Sequence, residues 1–178
     1  SFLFDRVKIA TARAGNVIGG GDWAADRLVP DALKAWQTNQ PVMVRYPQAV
    51  RPWQHVLEPL AGYLLLAQRL HEGQCAGAWN FGPSESDFLS VAELLNRLSH
   101  HWGSGSSWKY EAGDHPAEAG LLRIDSSKAR HELGWNARFN ADKALSMVVD
   151  WHRAWVAGQD MREFSLNQID RYHDGESP

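Results

Sequence analysis

A glycine-rich stretch that follows an apolar, strand-like run constrains this chain most. Residues 7–11 read as a buried strand, and they lead into Arg13-Ala14-Gly15-Asn16-Val17-Ile18-Gly19-Gly20-Gly21-Asp22-Trp23. In a doubly wound α/β protein, the turns after parallel strands line the crevice at the carboxyl end of the sheet, where ligands bind. We therefore expect an α/β fold with a ligand site beside this loop.

The three consecutive glycines do not specify a ligand by themselves. No Gly-Lys-Ser/Thr follows them, as a P-loop requires, and their spacing differs from the dinucleotide fingerprint. One interpretation is therefore a turn without a ligand. Their position between Asn16 and Asp22 supports the other interpretation, in which the glycines form one wall of a binding site.

A second cluster, Val50-Arg51-Pro52-Trp53-Gln54-His55-Val56, lies further along the chain. Proline biases the residue before it toward extended backbone, so Arg51 is held ready before the next helix begins. A guanidinium can pair with a phosphate through two hydrogen bonds, and the amide of Asn16 can donate to and accept from a sugar. His55 could act as an acid or base, but a hydrogen bond near the helix start is the simpler interpretation. Both clusters indicate the part of an enzyme that holds a phosphorylated, hydroxyl-rich ligand.

Hydrophobic periodicity divides the rest of the chain into helices and strands. The predicted helices cover residues 28–36 with Asp26 as N-cap, 55–72, 91–101 with a capping box of Ser90 and Glu93, 126–134 and 141–157. The predicted strands cover residues 42–45, 78–82, 108–111 and 121–125. The segment after Gly158 has weaker periodicity, so the helix at 141–157 is expected to be the last.

Composition and charge exclude several classes of protein. A net charge of −3 without a basic stripe argues against a nucleic-acid surface. Cys75 is the sole cysteine, which excludes an internal disulfide and fits a reducing compartment. No apolar run has the length of a membrane span, and the first residues do not have the pattern of a signal peptide. We expect a soluble cytoplasmic protein with no nucleic-acid or membrane partner, and the spacing of its histidines predicts no metal site.

The motifs taken together resemble a known family. The similarity rests on residues 13–23, 26–31, 51–59, 80–83 and 125–135 and covers nearly all of the chain in order. These segments resemble the C-terminal half of the extended short-chain dehydrogenase/reductase family that acts on nucleotide sugars, and within it the 4,6-dehydratases of CDP-glucose. The longest segments are specific to those dehydratases, whereas residues 80–83 and 125–135 have counterparts across the wider family.

The resemblance implies a fold and a reaction. The fold would be the C-terminal part of an NAD(P)-binding Rossmann-like domain with a small mixed α/β substrate-binding lobe, in one portion over residues 1–178. Bound NAD would take a hydride from C4 of the sugar, water would leave across C5 and C6, and the hydride would return to C6. The product would be a precursor of deoxysugars for surface polysaccharide such as lipopolysaccharide O-antigen, and the whole enzyme would be a homo-oligomer.

The resemblance also assigns eight residues to the CDP-sugar substrate: Asn16, Arg27, Leu28, Arg45, Tyr46, Arg51, His115 and Glu118. The asparagine would contact the phosphates or the sugar, and Arg51 would pair with the diphosphate. The pair Arg27 and Leu28 would hold the nucleotide. The pair Arg45 and Tyr46 would lie near the base, although this tyrosine stands where the dehydratases have asparagine. The last two residues would belong to a loop that covers the nucleotide.

Two motifs of the family do not occur in this sequence. It has no glycine-rich dinucleotide turn, and no tyrosine is followed by a lysine four positions later. Without that pair there is no evident base for the sugar hydroxyl. We therefore expect no catalytic residue in this chain, which would be an inactive C-terminal portion, and we expect NAD to be bound mainly by a missing N-terminal part.

Two other functions stay open at the level of sequence. The chain could belong to another nucleotide-sugar epimerase or dehydratase. It could also be a non-catalytic module that binds a nucleotide sugar beside a separate NAD-binding chain. In either case, removal of the first strands of such a fold would expose apolar edges, so poor stability or aggregation of the isolated chain is expected.

Overall fold

The computed structural model describes residues 8–175, in which strands and helices are interspersed up to residue 110 and three helices follow. The strands are β1 (Ala10–Ala14), β2 (Asn16–Ile18), β3 (Val42–Val44), β4 (Val50–His55), β5 (Gly77–Phe81), β6 (Phe88–Ser90) and β7 (Trp108–Tyr110). The helices are α1 (Leu28–Gln37), α2 (Leu57–His71), α3 (Val91–Trp102), α4 (Ser127–Leu133), α5 (Ala141–Val156) and α6 (Met161–Asp174).

The strands form three small sheets that are mostly parallel. β1 pairs with β5, β2 pairs with β4, and β3 pairs with β7, each in the parallel direction. β4 also pairs with β6 in the antiparallel direction, so that Arg51 lies opposite Leu89. Parallel strands joined through helices are the architecture that the sequence predicts, and the mixed α/β class is confirmed.

Two main hydrophobic clusters stabilise the described residues. The larger one lies among α1, α3 and α5 and includes Trp36, Leu95, Leu98, Leu145 and Val148, all nearly inaccessible to solvent. Burial of each such side chain contributes about 1.5–3 kcal/mol. The smaller cluster lies among α2, α4 and β5 and is built around aromatic rings and leucines.

The two clusters are connected through buried polar side chains as well as through the backbone. Gln54 of β4 donates from Nε2 to the carbonyl oxygen of Phe81 in β5 at 2.9 Å. Glu58, in the first turn of α2, accepts hydrogen bonds from the backbone amides of Arg138 and Phe139 and from the hydroxyl of Tyr172 in α6. Burial raises the pKa of Glu58 against these hydrogen bonds, which lower it. This carboxylate therefore attaches the C-terminal helix to the start of α2.

The predicted helices agree with the structure to within a few residues, because local capping interactions fix several of their ends. α3 begins with the predicted capping box, in which Ser90 and Glu93 each accept from the other's backbone amide. α4 ends at Gly134, which has the left-handed conformation that favours glycine there. The predicted N-cap of α1 is wrong: Asp26 lies outside the helix at φ 60°, and Arg27 occupies the cap position without a side-chain hydrogen bond.

The strands around the glycine loop depart most from the prediction. The strand predicted at residues 7–11 lies at Ala10–Ala14, and its predicted start, Val7, is outside the described residues. The loop expected after it contains β2, and the cluster around Arg51 is the strand β4. Residues 121–125 form no strand, since Leu121 makes only a single bridge to Val50.

The end of the chain also departs from the prediction, because α6 follows α5. Its hydrophobic signal is weak since only Tyr172 is buried, while the remaining side chains of the helix are partly or fully exposed. Its N-terminus is nevertheless capped by Asp160, which accepts from the backbone amides of Arg162 and Glu163. No helix in the described part of the chain is both long and apolar enough to cross a membrane.

Candidate functional site

A cleft of about 1050 Å³ lies between β2, β4, the start of α1 and the strand β3. A segment without helix or strand, residues 111–120, crosses one side of the cleft, and we call it the strap. Seven of the eight residues that the sequence assigns to the substrate line this cleft: Asn16, Arg27, Leu28, Arg45, Tyr46, Arg51 and Glu118. The fold thus brings together residues that are up to 102 positions apart in the sequence, although their contact with a ligand stays a prediction.

Asn16 and Arg51 are placed by the pairing of β2 with β4. Asn16 lies opposite Trp53 in this parallel pair. The residue before it must be small, because a Cβ on Gly15 would lie 2.5 Å from the carbonyl oxygen of Pro52. Gly15 therefore permits the close approach of the two strands that puts the amide and the guanidinium in one cleft.

Arg51 is the most constrained cation of the cleft. Its side chain is 5% exposed. One nitrogen, Nη1, donates to the carbonyl oxygen of Val50 at 2.8 Å, and Nη2 forms an ion pair with Glu118 of the strap. A guanidinium held in this way has a fixed orientation, which favours recognition of a planar or tetrahedral oxyanion.

The start of α1 forms the second wall. Arg27 and Leu28 lie at its N-terminus, where the cap position has no side-chain hydrogen bond. The first amides of a helix carry a partial positive charge, which favours an anion nearby. Asp26 and Asp31 lie in the same wall, and a negative charge on either carboxylate opposes this effect. Burial and the charge of the neighbouring Asp26 raise the pKa of Asp31.

The strand β3 and the strap form the opposite rim. Arg45 lies 3.5 Å from Glu111 and 4.0 Å from Asp26, so it bridges the strap and the loop before α1. Tyr46 donates from its hydroxyl to the carbonyl oxygen of Pro116 at 2.5 Å. These contacts hold the strap beside β3.

His115 is the one assigned residue that does not line the cleft. Its ring packs edge-on against Tyr46, with the ring centroids 6.2 Å apart, and its Nε2 lies 2.9 Å from the carbonyl oxygen of Glu111. His115 therefore stabilises the strap through contacts with Tyr46 and Glu111. Asp22 and Trp53, which belong to the two motifs, also line the cleft. Sequence reasoning missed Asp31 and Met43, because it had no signal for how α1 and β3 face each other.

The triple glycine has mainly a packing role. A Cβ on Gly20 would lie 2.1 Å from Cγ of Trp151 in α5, and one on Gly19 would lie 2.7 Å from Cγ1 of Val56. Gly19 also lines the cleft, whereas Gly20 and Gly21 do not. Trp23, two positions after Gly21, also contacts α5: its ring centroid lies 4.4 Å from that of Trp155. The loop is thus attached to α5 through glycine and tryptophan, and only its first glycine reaches the cleft.

His55 is buried away from the cleft. Its Nδ1 accepts from the backbone amide of Leu57 at 3.3 Å, which agrees with the simpler interpretation of a hydrogen bond near the helix start. Burial lowers the pKa of His55 to about 4, so the ring is neutral near pH 7. Among residues 8–175, no cluster of three or more His, Cys, Asp or Glu side chains is arranged to hold a metal ion.

The sequence is similar to that of a curated enzyme. It is 47% identical over 168 residues to the CDP-glucose 4,6-dehydratase of Salmonella typhimurium, an alignment that includes 93% of this chain. The chain spans 47% of the length of that relative. No family model matches the sequence.

Solved structures share the fold. A UDP-glucose 4-epimerase of Stenotrophomonas maltophila, with bound NAD, superposes with a TM-score of 0.72 over 85% of this chain and 49% of its own, at 21% identity. A dTDP-glucose 4,6-dehydratase of Bacillus anthracis in complex with NAD gives a TM-score of 0.68 over 81% of this chain and 44% of its own, at 17% identity. At such low identities the likeness to solved structures establishes the fold alone. The predicted resemblance is confirmed by this shared fold and by the sequence similarity to the Salmonella protein.

Proposed function

We propose that this chain, which has the fold of the C-terminal half of extended short-chain dehydrogenases/reductases, is the substrate-binding half of a CDP-glucose 4,6-dehydratase. The observation that carries the proposal is the 47% identity to such an enzyme over 93% of the chain. The cleft supports it, because arginine and asparagine side chains meet in a space large enough for a nucleotide sugar.

In this proposal the deeper part of the cleft binds the diphosphate. Arg51 has a fixed orientation and would contribute charged hydrogen bonds to phosphate oxygens. The amides at the start of α1, next to Arg27 and Leu28, would contribute partial positive charge. Asn16 would donate to and accept from the sugar or the phosphates.

The rim of β3 would bind the nucleotide base. Arg45 and Tyr46 lie there, and the strap beside them would cover the nucleotide through Glu118. His115 would act indirectly, because it holds the strap and the tyrosine in place. All eight assigned residues thus keep a proposed role, seven of them in direct contact with the ligand.

NAD would supply the acceptor and donor of the hydride in the whole enzyme. The residues of this chain do not fit a dinucleotide, since the sequence has no glycine fingerprint and its triple glycine packs against Trp151 and Val56. We therefore assign no catalytic residue to this chain, and any residues of it that would contact NAD stay unassigned. The role of its residues is to bind and orient the sugar nucleotide.

The wider setting follows from the same proposal. Residues 1–178 would form one portion that combines late Rossmann strands with the substrate-binding lobe. The whole enzyme would work in the cytoplasm as a homo-oligomer. Its product would supply deoxysugars for surface polysaccharide such as lipopolysaccharide O-antigen.

Calorimetric titration of the chain with CDP-glucose, CDP and UDP-glucose tests the proposal. We expect both cytidine nucleotides to bind and UDP-glucose to bind more weakly. Arg51→Met should weaken CDP-glucose binding by about 10-fold or more, since a charged hydrogen bond contributes about 1.5–3 kcal/mol. Arg69→Met is the matched control, because this arginine pairs with Glu72 on the surface of α2. Absence of cytidine nucleotide binding, or equal binding by Arg51→Met, would contradict the proposal.

A non-catalytic binding module is a second candidate, favoured by the absence of a Tyr-x-x-x-Lys pair from this sequence. Both candidates predict that the chain alone does not turn over CDP-glucose with NAD. They differ when the chain is fused to the N-terminal half of the Salmonella relative. Dehydration of CDP-glucose by the fusion supports the dehydratase, and binding without turnover by a folded fusion supports the module.

A further inference from the structure

The strap carries an acidic side chain, Glu118, that forms an ion pair with Arg51 of the cleft. Glu118 is the partner of Nη2 of Arg51, while Nη1 is bound to the carbonyl oxygen of Val50. Arg51 is 5% exposed, so few of its donors face open space. An oxyanion that binds Nη2 of this guanidinium must therefore compete with Glu118.

The two partners of this ion pair differ in their freedom to move. Arg51 lies within β4, whose backbone pairs with both β2 and β6. Glu118 lies in a segment without helix or strand, and its side chain is 49% exposed. Its carboxylate can turn toward water with little loss of solvation, whereas the buried guanidinium cannot. Exchange of partners would thus displace Glu118 and leave Arg51 in position.

The ends of the strap are attached to the strands, so that its middle can move alone. At one end the amide of Glu111 donates to the carbonyl oxygen of Val44 at 2.8 Å. At the other end the amide of Val50 donates to the carbonyl oxygen of Gly120 at 2.8 Å. Between these anchors, the Glu118 ion pair and the hydrogen bond from Tyr46 to Pro116 hold the strap against the cleft.

We propose that Glu118 is an internal anion that latches the strap over Arg51, and that a ligand phosphate opens the latch by taking its place on the guanidinium. This inference rests on the proposed binding of a nucleotide diphosphate in the cleft, in which Glu118 leaves the guanidinium and is then free to contact the nucleotide. It adds a regulatory contact within the chain: the latch lowers the affinity of the cleft for simple anions, and only a ligand whose phosphates compete with the carboxylate displaces it.

Titration of the full 178-residue chain with inorganic pyrophosphate tests the latch directly. Glu118→Gln keeps the shape of the side chain but removes its charge, so pyrophosphate should bind about 3- to 10-fold more tightly than to the unmodified chain. Glu111→Gln is the matched control, because it removes the same charge from the same strap but pairs with Arg45 instead. It should change the affinity by less than about 2-fold. In an Arg51→Gln background, Glu118→Gln should have no effect on affinity.

Backbone ¹⁵N relaxation gives a second readout that does not depend on affinity. The order parameters of residues 117–119 should be lower in Glu118→Gln, and also in the unmodified chain at saturating pyrophosphate. Those of β4 should be unaffected in both cases, since its backbone stays paired with β2 and β6. A strap whose order parameters are the same with and without pyrophosphate would overturn the latch.

The outcomes separate the latch from the proposed function. If pyrophosphate binds, Arg51→Gln weakens it and Glu118→Gln leaves it unchanged or weaker, the latch is wrong and the anion-binding cleft stands. If neither the unmodified chain nor Glu118→Gln binds pyrophosphate or CDP, both ideas fail together. Tighter binding by Glu118→Gln and Glu111→Gln alike would also overturn the latch, because it would reflect the loss of any negative charge near the cleft.

Discussion

Gly20 shows how one residue without a side chain can position a binding loop. The loop passes directly over the indole of Trp151, so the backbone itself is the packing surface. This contact holds the segment between β2 and α1, which brings Asp22 and Arg27 to the cleft. A glycine that suggested a ligand contact in the sequence acts instead through its close approach to a helix.

Substitution of Gly20 by alanine should destabilise the chain by about 1–3 kcal/mol, because the new methyl group would overlap the fixed part of an indole ring. Gly120→Ala is the control, since a Cβ there meets no heavy atom within 4 Å. Urea denaturation followed by tryptophan fluorescence measures both variants. A Gly20→Ala midpoint equal to that of Gly120→Ala would show that Trp151 moves aside at no cost.

At the scale of elements, the sequence predicts what local chemistry determines and misses what long-range pairing determines. The capping box of α3 and the glycine stop of α4 involve neighbouring residues, and both are present as predicted. The sequence predicts extended backbone at Arg51 but does not predict the strand β4, because a strand depends on pairing with partners such as β2 and β6. α6 was missed because only one of its residues is buried.

The same contrast holds for the cleft. The motifs identified Asn16 and Arg51, which lie on adjacent strands. The partnership of Arg51 with Glu118 had no signal in the sequence, since the two residues are 67 positions apart and meet only when the strap folds back. The sequence gives no signal for Asp31 for a similar reason, because the position of α1 relative to β3 is set by packing of the core.

The capping box of α3 offers a test at this scale. Ser90 accepts from the amide of Glu93 at 3.2 Å, and its own amide donates to the Glu93 carboxylate at 2.8 Å. The side-chain hydrogen bond from Ser90, together with that from its amide, lowers the pKa of Glu93. Ser90→Ala should cost about 0.5–2 kcal/mol in thermal or urea unfolding. Ser104→Ala, in the exposed loop after α3, should be neutral, and equal stability of the two variants would contradict the role of the cap.

The whole molecule combines well-packed clusters with a surface that includes several exposed apolar side chains. Leu60 and Leu64 lie one turn apart on α2 and are 46% and 74% exposed, and Ile9 before β1 is 66% exposed. β1 is at the edge of a two-stranded sheet. Parallel strands are normally covered on both faces, so this surface is the kind that promotes association of an isolated chain, as the sequence leads us to expect.

The pH dependence of stability is a further property of the whole molecule, and two buried histidines give it a direction. Burial lowers the pKa of His55 to about 4 and also lowers that of His152. Below the ordinary value of 6.5, the unfolded chain therefore takes up protons that the folded chain does not. Stability should fall as the pH decreases from about 6.5 toward 4, and His55 alone accounts for about 3 kcal/mol of this loss.

The raised pKa of Glu58 acts in the opposite direction, since the folded chain holds that proton more tightly than the unfolded chain and loses this stabilisation as the pH rises. The change of stability with pH is therefore the sum of opposite contributions from the two histidines and Glu58, and variants separate these contributions. Urea denaturation at pH 7, 6 and 5 should give a steep loss for the unmodified chain and a smaller one for His55→Gln. His100→Gln is the matched control for the substitution itself, because that residue is exposed. If His55→Gln loses stability with acid as steeply as the unmodified chain, His55 is protonated in the folded state, and its burial does not exclude the charge.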